Sequence, residues 1–192
     1  MSTAAPRTVI SVAQGRAMEK AAPEIRVELI DGALVAMGGA KPWHAVMTGS
    51  LARRVGNALV RPCRVAAESL AVGTGVTDAT FVHPDVTVLC GPSEIHPDDD
   101  TVVLNPRAVF EVLSPSTAIR DWNDKLPKYK RMASLHTVVF LDHAQRQVTA
   151  YLRTAQGWEE IVAHGGSIEL RDLNLTLDVD SLYDEAVDDG GP

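Results

Sequence analysis

Residues 108–129 read AVFEVLSPSTAIRDWNDKLPKY, an apolar run that leads into a charged segment. Ala108, Val109, Phe110, Val112 and Leu113 suit a strand buried on both faces, and Glu111 stands among them. Alternate side chains of a strand share a face, so Val109, Glu111 and Leu113 point one way and Ala108, Phe110 and Val112 the other. Neither face is written for solvent. An ionised carboxylate there costs several kcal/mol unless it is paired or coordinated. Two kinds of partner answer that cost: a buried Arg or Lys, and a bound cation.

The charged segment offers a partner. Asp121, Lys125 and Tyr129 are spaced by four and stack on one face if a single helix holds all three. A lysine so placed can reach a carboxylate pair, orient or deprotonate a water, and counter charge building on a phosphate. Asp124 and Lys128 repeat the spacing and read as a solvated pair. Pro127 limits the helix, because a proline in a helix interior costs about 3 kcal/mol. The helix is therefore expected from about Asn123 to Ala133, with Asp121 in the entry turn.

A second carboxylate opens another strand. In VHPDVTVLC, residues 82–90, Pro84 holds the chain extended, and Asp85, Thr87 and Leu89 share a face. An Asp opening one strand beside a Glu ending its neighbour brings two hard oxygen ligands together. That pair suits Mg²⁺ or Mn²⁺, with waters completing the coordination.

Upstream, IRVELIDGALVAM places two apolar-rich runs around Asp31-Gly32, a pair made for the positive φ angles of a tight hairpin turn. Gly38 and Gly39 end the second strand, and Pro42 suits the first turn of a helix over 43–60. Met47, Leu51, Val55, Ala58 and Leu59 form its apolar stripe, with Arg53, Arg54 and Asn57 toward water. The rest reads as strands near 64–72, 85–90, 107–113, 136–142, 147–153, 158–163, 168–171 and 174–178, the last few forming a meander. Residues 1–22 read as a loose arm with room for one short helix, 23–183 as a single domain, and 184–192 as an acidic disordered tail. HPDDD at 96–100 reads as a solvated loop.

Composition bounds the rest. A chain of 192 residues with 45% hydrophobic and 22% charged residues has room for one core. No apolar run approaches the roughly 18 residues that span a bilayer, and the N-terminus lacks the pattern of a secretory signal. Cys63 and Cys90 fit no metal spacing and allow one bridge at most, so a reduced, cytoplasmic protein is the simpler expectation. A net charge of −7 argues against a protein that coats nucleic acid. It leaves room for weak, salt-sensitive DNA binding through a local basic patch such as Arg53, Arg54, Lys128, Lys130 and Arg131.

VELIDGALVAM, His44 on the next helix, PDVTVL, FEVLSPST and DWNDKLPKY together resemble the Uma-two family of bacterial endonucleases. That family stands within the PD-(D/E)XK, restriction-endonuclease-like superfamily, and the resemblance covers about residues 25–178. It implies an α/β (α+β) fold, with a central mixed sheet flanked by helices, an N-terminal β-hairpin and a C-terminal β meander. It implies Asp85 and Glu111 as ligands of Mg²⁺ or Mn²⁺ and Glu28 as a residue that orients a metal-bound water. The superfamily's usual lysine, two residues past the Glu, is replaced here by Leu113, and the family pattern moves its role to Lys125. Asp121 and Tyr129 are accessory candidates, and His44 matches both a site residue and a core histidine at a helix edge.

The function so implied is a metal-dependent endonuclease that hydrolyses DNA phosphodiester bonds. A homodimer would suit two cuts in a duplex. The rival is a catalytically reduced module of the same fold that binds protein or DNA without cleaving it. GTGV at 73–76 is too short for a phosphate loop, and Ser114 and Ser116 have no His at a recognisable spacing.

Overall fold

The computed structural model describes residues 9–67, 69–114 and 118–186. Its centre is a six-stranded mixed sheet built from β3 (Cys63–Ala67), β6 (Val86–Cys90), β9 (Ala108–Leu113), β10 (Thr137–Asp142), β11 (Gln147–Thr154) and β12 (Gly157–Ala163). Their order is β12-β11-β10-β9-β6-β3, with β9 and β10 parallel and the other neighbours antiparallel. All six side chains of β9 are buried, as a strand covered on both faces requires.

One face of this sheet is covered by α2 (Pro42–Ala58), by the small hairpin β13 (Ser167–Leu170) and β14 (Leu175–Asp178), and by α5 (Val179–Asp184). Pro42 stands in the first turn of α2, and Met47, Leu51 and Val55 bury the expected stripe against Ala108, Phe110 and Val112. The other face carries Val109, Leu113, Val138 and Phe140. It packs on the helical segment joining β9 to β10 and on a second six-stranded sheet.

That second sheet runs β2-β1-β5-β4-β8-β7 and is made of short pieces. The strands β1 (Val27–Ile30) and β2 (Ala33–Ala36) form the expected hairpin. Its turn residues Asp31 and Gly32 both have positive φ, at 49° and 74°. Sequence periodicity does not reveal β4 (Ala71–Gly73), β5 (Phe81–Val82) and β7 (Ile95–His96), which are too short to show it, and β8 (Asp99–Val103) opens in an acidic run that reads as a loop.

Five expectations need correction. Residues 64–72 are not one strand: β3 ends at Ala67 and β4 begins at Ala71 in the other sheet. The arm holds the short helix allowed for it, α1 (Val12–Ala21), with a Ser11–Gln14 capping box, but it is not loose there, since Val12 is buried against Leu29 and Phe81. HPDDD is no free loop either, since His96 is buried and Asp99 pairs with Lys20 at 2.9 Å. The C-terminal tail starts later, because α5 reaches Asp184 and Ala186 is fully buried. Residues 187–192 lie outside the described residues.

The fifth concerns the cysteines. The antiparallel register of β3 and β6 sets Cys63 directly opposite Cys90, and the two sulfurs are joined in a disulfide. The reduced pair expected from the sequence is therefore not what the fold holds. No helix among the described residues is long and apolar enough to cross a membrane.

Candidate active site

The segment after β9 carries the chemistry. It is continuous from α3 (Ala118–Arg120) through a π-helical turn (Asp121–Lys125) into α4 (Leu126–Arg131). This differs from a helix starting at Asn123, and Pro127 explains the difference. An α-helical residue 127 would donate to the carbonyl of Asn123, which proline cannot do. The wider turn instead takes the Leu126 N–H back five residues to Asp121. Asp121 is thereby inside the helical run and buried, not in an entry turn.

Lys125 is the centre of the cluster. Its Nζ lies 2.8 Å from Glu28 Oε1, 3.0 Å from Asp121 Oδ1 and 3.3 Å from Glu111 Oε1. The carboxylates come from three places: β1 supplies Glu28, β9 supplies Glu111 and the π turn supplies Asp121. Tyr129, one turn further, donates its hydroxyl to Glu111 Oε1 at 2.6 Å. The face formed by 121, 125 and 129 therefore assembles as its spacing implied.

Asp85 stands on the adjoining edge. β6 and β9 pair Val86 with Phe110, and one further step of that antiparallel register sets Asp85 opposite Glu111. Asp85 Oδ2 accepts the Val112 N–H at 2.6 Å. His44, at the start of α2, donates through Nε2 to the Val112 carbonyl at 3.0 Å and lies 3.5 Å from Asp85 Oδ2. It braces the Asp85 corner.

These groups open on a cleft of about 540 Å³, lined by Asp85, Glu111, Asp121, Lys125 and His44. Arg26, Lys41, Trp43, His83, Ser114 and Arg120 also line it. Glu28 and Tyr129 do not line it but stand behind Lys125 and Glu111, fully buried. Glu28 also accepts the His83 N–H at 3.1 Å. Its observed place is to hold Lys125 and the chain before Asp85.

The charges do not balance. Three carboxylates surround one ammonium, with Asp85 close by and Arg120 Nε 3.9 Å from Glu28 Oε2. Burial, then the charges of Asp121, Asp85 and Glu28, raise the Glu111 carboxyl well above its ordinary value against the pull of Lys125. Burial alone would lower Lys125, but Glu111, Glu28 and Asp121 outweigh it and raise its pKa, so the ammonium stays protonated. His83 is driven down to about 3 by burial and by the charges of Arg26, Arg16 and Lys125, and is neutral at pH 7.

Asp85 and Glu111 are the residues that could hold a hard divalent cation. They line the same cleft and stand opposite each other in the β6–β9 register. No three His, Cys, Asp or Glu side chains among the described residues converge on one ion position. Two carboxylates completed by water is the arrangement that Mg²⁺ tolerates best.

Several placements differ from the sequence reading. Lys128 is buried and pairs with Asp31, so it is not a solvated partner of Asp124. Arg53 and Arg54 pair with Glu185, and Lys130 lies over the Tyr151 ring at 3.8 Å. None of Arg53, Arg54, Lys128, Lys130 and Arg131 lines the cleft, whose lining cations besides Lys125 are Arg26, Lys41 and Arg120. Arg26 and Arg120 each neighbour a site segment in sequence, two residues before Glu28 and one before Asp121, which is the signal that identifies them.

Tyr129→Phe isolates one contact of the cluster. It removes the hydroxyl donor and leaves Glu111 Oε1 short of a partner, so stability should fall by about 1.5–3 kcal/mol, the scale for a hydrogen bond to a charged group. Urea denaturation at neutral pH measures it; a loss under about 0.5 kcal/mol would mean water replaces the hydroxyl.

Comparison with known proteins shows the family and the fold. A family model described as "Uma2: Putative restriction endonuclease" matches residues 12–180. An uncharacterised protein of Synechocystis sp., slr1290, is 28% identical over 159 residues, covering 81% of this chain and 82% of its own. A second Synechocystis protein, sll1609, is 24% identical over 182 residues and is covered over its whole length. The crystal structure of "a putative nuclease belonging to DUF820" from Anabaena variabilis superposes with a TM-score of 0.65. It covers 85% of this chain and 92% of its own at 19% identity, a likeness of fold.

Proposed function

Because this chain belongs to the Uma2 family, we propose that it is a metal-dependent endonuclease of restriction-endonuclease-like fold that hydrolyses DNA phosphodiester bonds. The observation that carries the reading is the meeting of Asp85, Glu111 and Lys125 on one cleft wall, from a strand mouth, a buried strand and a π-helical turn. Asp85 and Glu111 would hold Mg²⁺ or Mn²⁺. Such an ion, when bound, supplies Lewis-acid polarisation of the scissile phosphate.

The chain's own groups do the rest. Lys125, held as a cation by its carboxylates, is suited to countering charge on a phosphate rather than to taking a proton from water. Glu28 and Asp121 fix its position, and Tyr129 fixes Glu111. His44 keeps Asp85 and the Val112 backbone in register. Leu113, where the superfamily usually has its lysine, is packed in the core beside Val109. That feature favours the second reading, a module of the same fold that binds without cleaving.

Calorimetric titration with Mn²⁺ tests the metal assignment. Wild type should bind the ion, and Asp85→Asn and Glu111→Gln should each weaken binding by about tenfold or more. Equal affinity in all three proteins would remove both residues from the metal site.

A further inference from the structure

The segment joining β2 to α2 contains two glycines that the free protein does not need. Gly38 and Gly39 lie outside the left-handed region, where Gly32, Gly91, Gly157 and Gly166 are found. A Cβ built on either would touch nothing within 4 Å. Alanine would fit both positions and would restrict the unfolded chain more. The fold therefore gives no reason for glycine here, whereas at Gly32 an added Cβ would run into Val9.

The surroundings supply another reason. Gly38, Gly39, Ala40 and Lys41 are exposed and line the cleft beside Arg26 and Arg120. The β-hairpin ladder ends with Met37 N–H donating to Arg26 at 2.8 Å, and the α2 contacts resume with His44 N–H to Lys41 at 3.0 Å. Between them, among the described residues, Gly38, Gly39 and Ala40 donate no backbone hydrogen bond. The cleft thus has carboxylates at its centre, cations among its lining residues and a stretch of exposed main chain without side chains at 38 and 39.

We infer that Gly38–Lys41 is a main-chain cradle for the sugar–phosphate backbone of the bound nucleic acid, with Arg26, Lys41 and Arg120 as its flanking cations. This rests on the nuclease reading and adds the surface that holds the strand. Missing side chains at 38 and 39 let a phosphate approach to hydrogen-bond distance of the main chain, and a charged acceptor strengthens those bonds. The central carboxylates repel a phosphodiester, so the lining cations and main chain must retain the strand while one phosphate faces Asp85 and Glu111.

The test uses the full chain and a short fluorescein-labelled DNA duplex followed by anisotropy, with Mn²⁺ calorimetry and thermal melting on the same samples. In Gly38→Ala/Gly39→Ala the melting temperature should hold or rise and Mn²⁺ affinity should stay unchanged. DNA affinity should fall by about tenfold or more, the scale of a lost hydrogen bond to a charged group. Lys41→Ala should weaken binding and reduce the salt slope by about one contact. Wild-type DNA affinity in the double variant overturns the cradle alone. A lowered melting temperature with a matching loss of binding also overturns it, since the glycines would then serve the fold. No DNA binding by the wild type overturns the nuclease reading, and the cradle with it.

Discussion

Lys125→Met should destabilise the protein by about 3–5 kcal/mol at neutral pH, the scale for removing one partner of a buried ion pair. Methionine keeps the length and fills the space, so the loss is electrostatic. Lys125 is 3% exposed and Glu28 fully buried, and the substitution leaves Glu28, Glu111 and Asp121 facing one another without the ammonium. Its burial sets Lys125 apart from an exposed i,i+4 pair, whose loss costs less than about 1 kcal/mol.

The deficit should shrink in acid. The Glu111 carboxyl is raised above 4.5 by burial and by Asp121, Asp85 and Glu28, so the folded state binds its proton more tightly than the unfolded chain. A group raised in this way contributes stability that is full below 4.5 and is lost as pH rises through the folded value. Removing Lys125 removes the opposing charge and raises Glu111 further. Urea denaturation of wild type and Lys125→Met at neutral pH and at about pH 5 should show the gap narrowing. A pH-independent loss under about 1 kcal/mol would be the behaviour of a surface pair and would contradict the buried cluster.

Asp85→Asn should separate chemistry from folding. Asp85 is only partly buried, and its observed bond is accepted from the Val112 N–H. An amide oxygen can accept the same bond, so stability should change by less than about 1 kcal/mol. The charge that would hold the metal is lost, and cleavage should fall by about two to three orders of magnitude, the usual scale for an electrostatic group at a reacting centre. A plasmid-nicking time course checks it. Full activity in the variant would show that Asp85 supports the Val112 backbone and nothing more.

Much of the site was legible because its residues violate local rules. Glu111 is a carboxylate in a strand with no solvent face, and Asp121, Lys125 and Tyr129 repeat at helical spacing. The hairpin was legible from Asp31-Gly32, and α2 from Pro42 and its apolar stripe. The π turn was not, because Pro127 announces a break in the α-helical ladder without saying whether the chain stops or widens. The place of Glu28 behind Lys125 depends on how β1 of the second sheet meets the segment after β9, which strand periodicity does not encode. The second sheet escaped because strands such as Phe81–Val82 are too short to show alternation. Cys63 and Cys90 stand 27 residues apart, and only the β3–β6 register shows that they face each other.

We propose that Asp85, Glu111 and Lys125 form the metal-dependent cutting centre of a DNA endonuclease. The most direct measurement is conversion of supercoiled plasmid by the purified wild type, with Mg²⁺ or Mn²⁺ and with chelator in their place. Relaxed and linear products should form only with the metal and should disappear in Glu111→Gln. Products formed equally in chelator, or no product with either metal while the folded protein still binds the plasmid, would contradict the proposal.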